Sequence, residues 1–233
     1  MLYSLFLHLA DTYSILNVFK FLTVRTGLAT FTSMLVVFLI GTPFINYFSS
    51  RHIHNPIRED GPEDHIIKKI GTPTMGGVLI LIGLFSGILL WGNLFNPYVW
   101  FLIYIVGAFG MLGAYDDYKK IQKKNSSGIS SKLKFVWQII LAIIGILILI
   151  YFVDTSELQN LYFPFFKNLI INLGWFFIPF YIFIIVGSSN AVNLTDGLDG
   201  LATVPVILVA SVFAFISYVT GNIVFSEYLL IPY

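Results

Sequence analysis

The amino-acid sequence predicts an all-α, polytopic membrane protein, and three observations carry that prediction. Hydrophobic residues make up 57% of the 233 positions and charged residues only 11%, against about 45–50% and about 25% in an ordinary soluble domain. Charge-free stretches recur at the length of a transmembrane helix, about 20 mostly apolar residues. The few charges are gathered between those stretches. Disorder is excluded by the same numbers, because it requires low hydrophobicity with high net charge. A formal net charge of +1, from 13 Lys and Arg against 12 Asp and Glu, points to no nucleic-acid partner. Cysteine is absent, which removes disulfides, thiolate nucleophiles and Cys-ligated metals, so any metal must rest on oxygen or imidazole.

Residues 1–22 are apolar but carry Asp11 and Lys20, and read as an interfacial helix. No basic residue precedes the apolar run, so it does not read as a cleaved signal peptide. The first span is expected at 26–48. The stretch 70–115 holds no charge, but Trp91-Gly-Asn-Leu-Phe-Asn-Pro-Tyr-Val-Trp100 interrupts it. Turn residues flanked by two Trp mark a reversal at an aromatic interface belt. This gives spans two and three at 74–90 and 98–115. Spans four, five and six are expected at 135–152, 169–186 and 201–219, and the whole of 1–233 reads as a single integral membrane domain.

Lys and Arg are retained on the cytoplasmic side of short loops. Arg51, Arg58, Lys68 and Lys69 fall between spans one and two, and Lys119, Lys120, Lys123, Lys124, Lys132 and Lys134 between spans three and four or at their edges. These connections, and by parity the one between spans five and six, are therefore expected on the cytoplasmic face. They also hold eight of the twelve acids: Glu59, Asp60, Glu63, Asp64, Asp116, Asp117, Asp196 and Asp199. Such a mixed-charge face suits a phosphorylated substrate, with carboxylates to hold Mg²⁺ and lysines to meet phosphate oxygens. For the acids of the first loop, a plain solvated face explains the residues equally well.

Three segments stand out. Gly71-Thr-Pro-Thr-Met-Gly-Gly77 leads into span two, where hydroxyls and free N–H groups at a helix N-terminus favour an anion; Lys68 and Lys69 stand beside it. The same residues also read as a membrane cap with snorkelling lysines. His65 reads as a loop hydrogen-bonding residue before a metal ligand. Asp116-Asp117 closes span three after Gly107-Ala-Phe-Gly-Met-Leu-Gly113, whose small residues form a close-packing face. Carboxylates at a hydrocarbon edge are costly, and adjacent helical residues point about 100° apart. One is therefore expected to serve metal or proton transfer and the other to orient a lysine. The third segment is Gly187-Ser-Ser-Asn-Ala-Val-Asn-Leu-Thr-Asp-Gly-Leu-Asp-Gly200. Asn190, Asn193, Asp196 and Asp199 recur every third residue, each step falling about 60° short of a turn, so a regular helix cannot aim all four at one ligand. Gly197 and Gly200 offer the break, and irregular backbone at membrane depth is tolerated where it lines a polar cavity. Lys132 and Lys134 read equally as positive-inside anchors and as phosphate ligands.

At these residues the sequence resembles the polyprenyl-phosphate N-acetylhexosamine-1-phosphate transferases, and within them the phospho-N-acetylmuramoyl-pentapeptide transferases. The resemblance rests on Asp60-Gly-Pro with His65 and Lys69, Gly71-Thr-Pro-Thr-Met-Gly-Gly77, Asp116-Asp117-Tyr118-Lys119, Lys132-Leu-Lys134, and Asn190-Ala-Val-Asn-Leu-Thr-Asp-Gly-Leu-Asp-Gly-Leu201. It implies transfer of phospho-N-acetylmuramoyl-pentapeptide from UDP-MurNAc-pentapeptide to undecaprenyl phosphate, giving lipid I and UMP for peptidoglycan synthesis. It also implies Mg²⁺ dependence, a homodimer, and a site on the cytoplasmic face of the bacterial inner membrane. By motif position, Asp116 and Asp117 are the catalytic and metal-binding pair, with Asp116 favoured to deprotonate or position the lipid phosphate. Lys69, Thr74, Asn190, Asn193, Asp196, Asp199 and Lys132 are implied to bind substrate. Family members have ten spans and, later in the chain, a Phe-Met-Gly-Asp segment with a further metal aspartate and a histidine-rich loop. This chain has neither, so it is expected to be the N-terminal part of such an enzyme. Two other readings stand beside this one: a related UDP-GlcNAc polyprenyl-phosphate GlcNAc-1-phosphate transferase, and a cation-coupled membrane transporter.

Overall fold

The computed structural model describes residues 1–50, 75–123, 128–163, 169–196, 200–229 and 231. They fold into helices with one short hairpin and form two compact units, Met1–Phe152 and Val153–Tyr233. Five helices are long and apolar enough to cross a membrane, and a sixth apolar helix is shorter, in keeping with the all-α polytopic class.

In the first unit, α1 (Leu2–Leu9) and a 3₁₀ helix (Ser14–Lys20) precede α2 (Leu22–Ser50). The expected interfacial helix is thus broken in two. Its aromatic residues anchor it: Phe6 and Phe19 lie 4.5 Å apart, and Phe19 stacks on Trp91 at 5.8 Å. Trp91 in turn donates to Thr32 Oγ1 at 2.9 Å, and Arg25 lies 4.1 Å from the centre of the Tyr3 ring. α3 (Gly76–Trp91) has 16 residues, about 24 Å at 1.5 Å per residue, short of a hydrocarbon core of about 30 Å. It packs on α2 through Gly83 and Gly87. A Cβ at Gly87 would lie 2.8 Å from the Ala29 carbonyl oxygen, and one at Gly83 2.6 Å from Val37 Cγ2. Small residues four apart let two backbones approach, which is how helices associate without a hydrophobic driving force.

The turn between the Trp residues forms as expected. Asn96 Oδ1 accepts from the Tyr98 N–H at 2.9 Å, so Asn caps and Pro follows at the first helical position of α4 (Pro97–Lys123), a pairing that suits both residues. Trp100 donates to the Leu94 carbonyl at 2.8 Å. Gly107 meets Phe85 of α3, and a Cβ at Gly110 would run into Leu81, so two of the expected small residues do face a neighbour. α4 continues through the aspartate pair to Lys123, eight residues beyond the span read from hydropathy. α5 (Ser131–Phe152) packs on it, with Ala142, Gly145, Ile146 and Leu149 buried. Tyr104 donates to the Leu141 carbonyl at 3.2 Å.

The second unit opens with α6 (Thr155–Leu158), capped by Asp154 Oδ1 accepting from the Ser156 N–H. Strands β1 (Asn160–Tyr162) and β2 (Ile170–Asn172) pair antiparallel, Asn160 opposite Asn172. Span five was expected to start at 169, but that stretch is strand, and α7 (Phe177–Thr195) runs about eight residues later. Asn172 Oδ1 accepts from the Gly174 N–H at 2.8 Å, and Gly174 at φ +52° turns the chain into α7, a conformation glycine adopts without a Cβ clash. Phe177 is fully buried and Tyr181 donates to the Leu158 carbonyl. α8 (Thr203–Thr220) and α9 (Ile223–Leu229) complete the unit.

Candidate functional site

The end of α4 gathers the charges of the first unit. Asp116 is buried, its side chain 10% exposed, whereas that of Asp117 is 35% exposed. Asp116 Oδ1 accepts from the Ile129 N–H at 2.7 Å. Oδ2 meets Lys120 Nζ at 2.9 Å and Lys134 Nζ at 3.8 Å. Lys120 also donates to Asp117 Oδ1 at 3.0 Å, so one ammonium joins the two carboxylates. Lys119 lies 5.5 Å from the centre of the Tyr115 ring. Lys120 follows from helical spacing, since residues three and four apart share a face. The surroundings of the adjacent aspartates differ in the way their 100° offset predicts: one turns into the protein and the other toward a cavity.

That cavity, about 300 Å³, is lined by Asp117, Met75, Gly77, Leu81, Gly110 and Gly113. A Cβ at Gly113 would meet none of the described residues, so the third small residue of the α4 motif leaves space among them instead of closing a contact. Across the cavity stands the start of α3, which has no side-chain cap. Uncapped N–H groups at a helix N-terminus are a ready anion site. Met75 enters it at φ +68° and ψ 22°, a left-handed conformation that is uncommon and costly in a non-glycine residue. A larger groove, about 510 Å³, lies between α4 and α5, where Tyr104, Met111, Tyr115, Ile129, Trp137 and Leu141 line it. Lys132 is exposed in the first turn of α5, on the helix that sends Lys134 to Asp116.

In the second unit, Asn190 and Asn193 are helical, because α7 continues to Thr195. The fifth span, expected to end at 186, therefore runs to Thr195, with Asp196 as the C-cap, next to Gly197 where the break was expected. The backbone hydrogen bonds of a helix carry it past polar residues that hydropathy assigns to a loop. Asn190 Nδ2 donates to the Val186 carbonyl at 2.8 Å, while Asn193 and Asp196 are exposed. A carboxylate at the negative end of a helix dipole is unfavourable by a few tenths to about 1 kcal/mol, a cost that a bound donor or cation would remove. Lys69, Thr74, Asp199 and His65 lie outside the described residues.

Among the described residues, no three His, Asp or Glu side chains are grouped to hold a metal. Mg²⁺ does not require such a cage, since it is commonly held by one or two carboxylates together with substrate phosphates and waters. Asp117 fits that arrangement. Asp116 fits it less well, because its oxygens already face two ammonium groups and an N–H. The backbone of 128–129 beside Asp116 was not foreseen, and nothing in a Ser-Ser-Gly-Ile run foretells it.

Comparisons with known proteins place the chain in a family. Residues 98–231 match glycosyl transferase family 4, and residues 69–81 match the phospho-N-acetylmuramoyl-pentapeptide-transferase signature 1. The chain is 76% identical over all 233 residues to a phospho-N-acetylmuramoyl-pentapeptide-transferase of Pelagibacter ubique (strain HTCC1062), and it spans 64% of that relative's length. The family match runs from the first turn of α4 through the aspartate pair and the Asn190–Asp196 residues. The chain belongs to glycosyl transferase family 4.

Proposed function

We propose that the full-length protein transfers phospho-N-acetylmuramoyl-pentapeptide from UDP-MurNAc-pentapeptide to undecaprenyl phosphate, with UMP leaving and lipid I forming. The observation that carries this reading is the aspartate pair: one carboxylate is spent on lysines and backbone, and its neighbour opens on a cavity beside a helix N-terminus that no described side chain caps. The name of the Pelagibacter relative and the signature at 69–81 support the muramoyl substrate over the GlcNAc one.

In this reading the β-phosphorus of the nucleotide substrate is attacked by the lipid phosphate, and the β–α bridging bond breaks to release UMP. Asp117 would hold Mg²⁺, which supplies Lewis-acid neutralisation of pyrophosphate charge when bound. The N–H groups at the start of α3 receive phosphate oxygens. Lys120 keeps the Asp117 carboxylate turned to the cavity, and Asp116 holds Lys120. Positioning and charge compensation are the principal demands of phosphoryl transfer, and these residues meet them without a covalent enzyme intermediate. Asn193 and Asp196, exposed in the second unit, offer hydrogen-bonding groups of a kind that a uridine can take. The groove between α4 and α5 suits the apolar chain of the lipid acceptor, and Lys119 stands over Tyr115 of its lining.

The test is release of UMP by the full-length protein from UDP-MurNAc-pentapeptide, with and without undecaprenyl phosphate and Mg²⁺. Release that requires all three is the expected result, and ion flux without release would overturn it. The cytoplasmic placement is tested separately, since the sequence has no cysteine. Single cysteines at Asn93 and Ser130 should label from opposite sides of the membrane, and labelling from one side would refute the topology.

A further inference from the structure

The segment that leads into α5 touches the aspartate pair at closer range than a connection requires. Gly128 stands against the Asp116 carboxylate: a Cβ built there would overlap Oδ1 and lie 2.8 Å from Cγ and 3.1 Å from the Asp116 carbonyl oxygen. The Gly128 carbonyl accepts from Lys123 Nζ at 3.5 Å, and the next N–H, that of Ile129, donates to Oδ1 at 2.7 Å. Oδ2 holds Lys120, which holds Asp117. A continuous path therefore runs from the 128–129 backbone through Asp116 and Lys120 to the carboxylate that faces the cavity.

From this path we infer that Gly128 and Ile129 are positioning residues for the transfer: they clasp Asp116 and, through Lys120, set the orientation of Asp117. The inference rests on the function proposed above. Any side chain at 128 displaces the Asp116 carboxylate, because the space its first carbon needs is occupied by Oδ1. The carboxylate then leaves the Ile129 N–H, and Lys120 follows it away from Asp117. Only glycine permits the close approach. The donor at 129 acts as a backbone group, so proline, which has no N–H, removes the bond.

The experiment uses the full-length enzyme and four variants: Gly128→Ala, Ile129→Pro, the two combined, and Ser130→Ala. Ser130 lies in the same segment, and its hydroxyl accepts from the Leu133 N–H at 3.4 Å. Gly128→Ala and Ile129→Pro should each lower kcat at least about tenfold with KM for the nucleotide substrate within about twofold. The combined variant should be no slower than the worse single one, since residues acting through one group are not additive. Ser130→Ala should keep wild-type kcat. Wild-type kcat in Gly128→Ala, or an equal loss in Ser130→Ala, would overturn the inference. A second readout is independent of activity: amide exchange in the 128–133 peptide should quicken in Asp116→Ala and not in Asp117→Ala. Unchanged exchange in Asp116→Ala would overturn the clasp, whereas quickened exchange in Asp116→Ala, with no UMP release by the unsubstituted enzyme, would leave the clasp standing and refute the functional reading.

Discussion

The end of α4 and the end of α7 carry the same kinds of side chain and treat them in opposite ways. At the end of α4 a buried aspartate meets two lysines and a backbone N–H before any ligand arrives. At the end of α7 Asn193 and Asp196 are exposed, and the carboxylate sits where the helix dipole disfavours it. The first region has its electrostatics compensated by the fold, as preorganised groups must be if they are to act on developing charge. The second leaves its polar groups unspent, which suits recognition of a ligand that supplies the partners. Loss of a group from the first region should therefore appear in kcat, and loss from the second in KM.

The largest effect is expected at Asp117, the carboxylate that faces the cavity. Asp117→Asn should lower UMP release about 10³-fold, within the range for a group engaged in the transition state, with the melting temperature unchanged. Full activity would erase the contrast between the two regions. Lys120→Met should follow, lowering kcat on the order of 10²-fold, as for one lost electrostatic contact in a preorganised site. It should also lower the melting temperature, because a carboxylate whose side chain is 10% exposed loses its nearest cation. Asp196→Asn should raise KM for the nucleotide substrate about tenfold, equivalent to about 1.4 kcal/mol, and leave kcat and stability as they were. A kcat effect there would show that the α7 end belongs with the reacting groups. The smallest effect is expected at Asn190, whose amide donates to its own helix at Val186. Asn190→Ala should shift KM by less than about threefold and stability by less than about 1 kcal/mol, the worth of one such bond.

Much of this was legible in the sequence because bilayer physics leaves few choices. Charge-free runs had to be helices, and the Asn96-Pro97 turn between Trp91 and Trp100 had to reverse the chain. What composition could not supply was the register of the fifth span. The apolar run near Ile170 and Ile171 suits strand and helix alike, and pairing of Asn160 with Asn172 decides for strand. Helix ends were misplaced in one direction. α4 and α7 both continue into polar sequence, because the backbone gains hydrogen bonds there whatever the hydropathy. The aspartate pair stood out from charge placed at a hydrocarbon edge, and the difference between its two surroundings followed from helical geometry. Which aspartate turns inward was not legible, since it depends on Gly128 and Ile129, twelve and thirteen residues away and marked by no motif. The close approach of α3 to the α2 backbone at Gly83 and Gly87 was not foreseen beside the glycines of α4, because a small-residue face shows its partner only once the helices are packed.

The central claim is that adjacent aspartates are divided, Asp116 serving the fold of the site and Asp117 its substrate and metal. The most direct measurement is the Mg²⁺ concentration giving half-maximal UMP release by the full-length enzyme, compared between Asp117→Glu and Asp116→Glu. The account predicts that Asp117→Glu raises that concentration at least about tenfold, while Asp116→Glu lowers kcat and leaves the Mg²⁺ requirement in place. A raised requirement in Asp116→Glu with none in Asp117→Glu would contradict it.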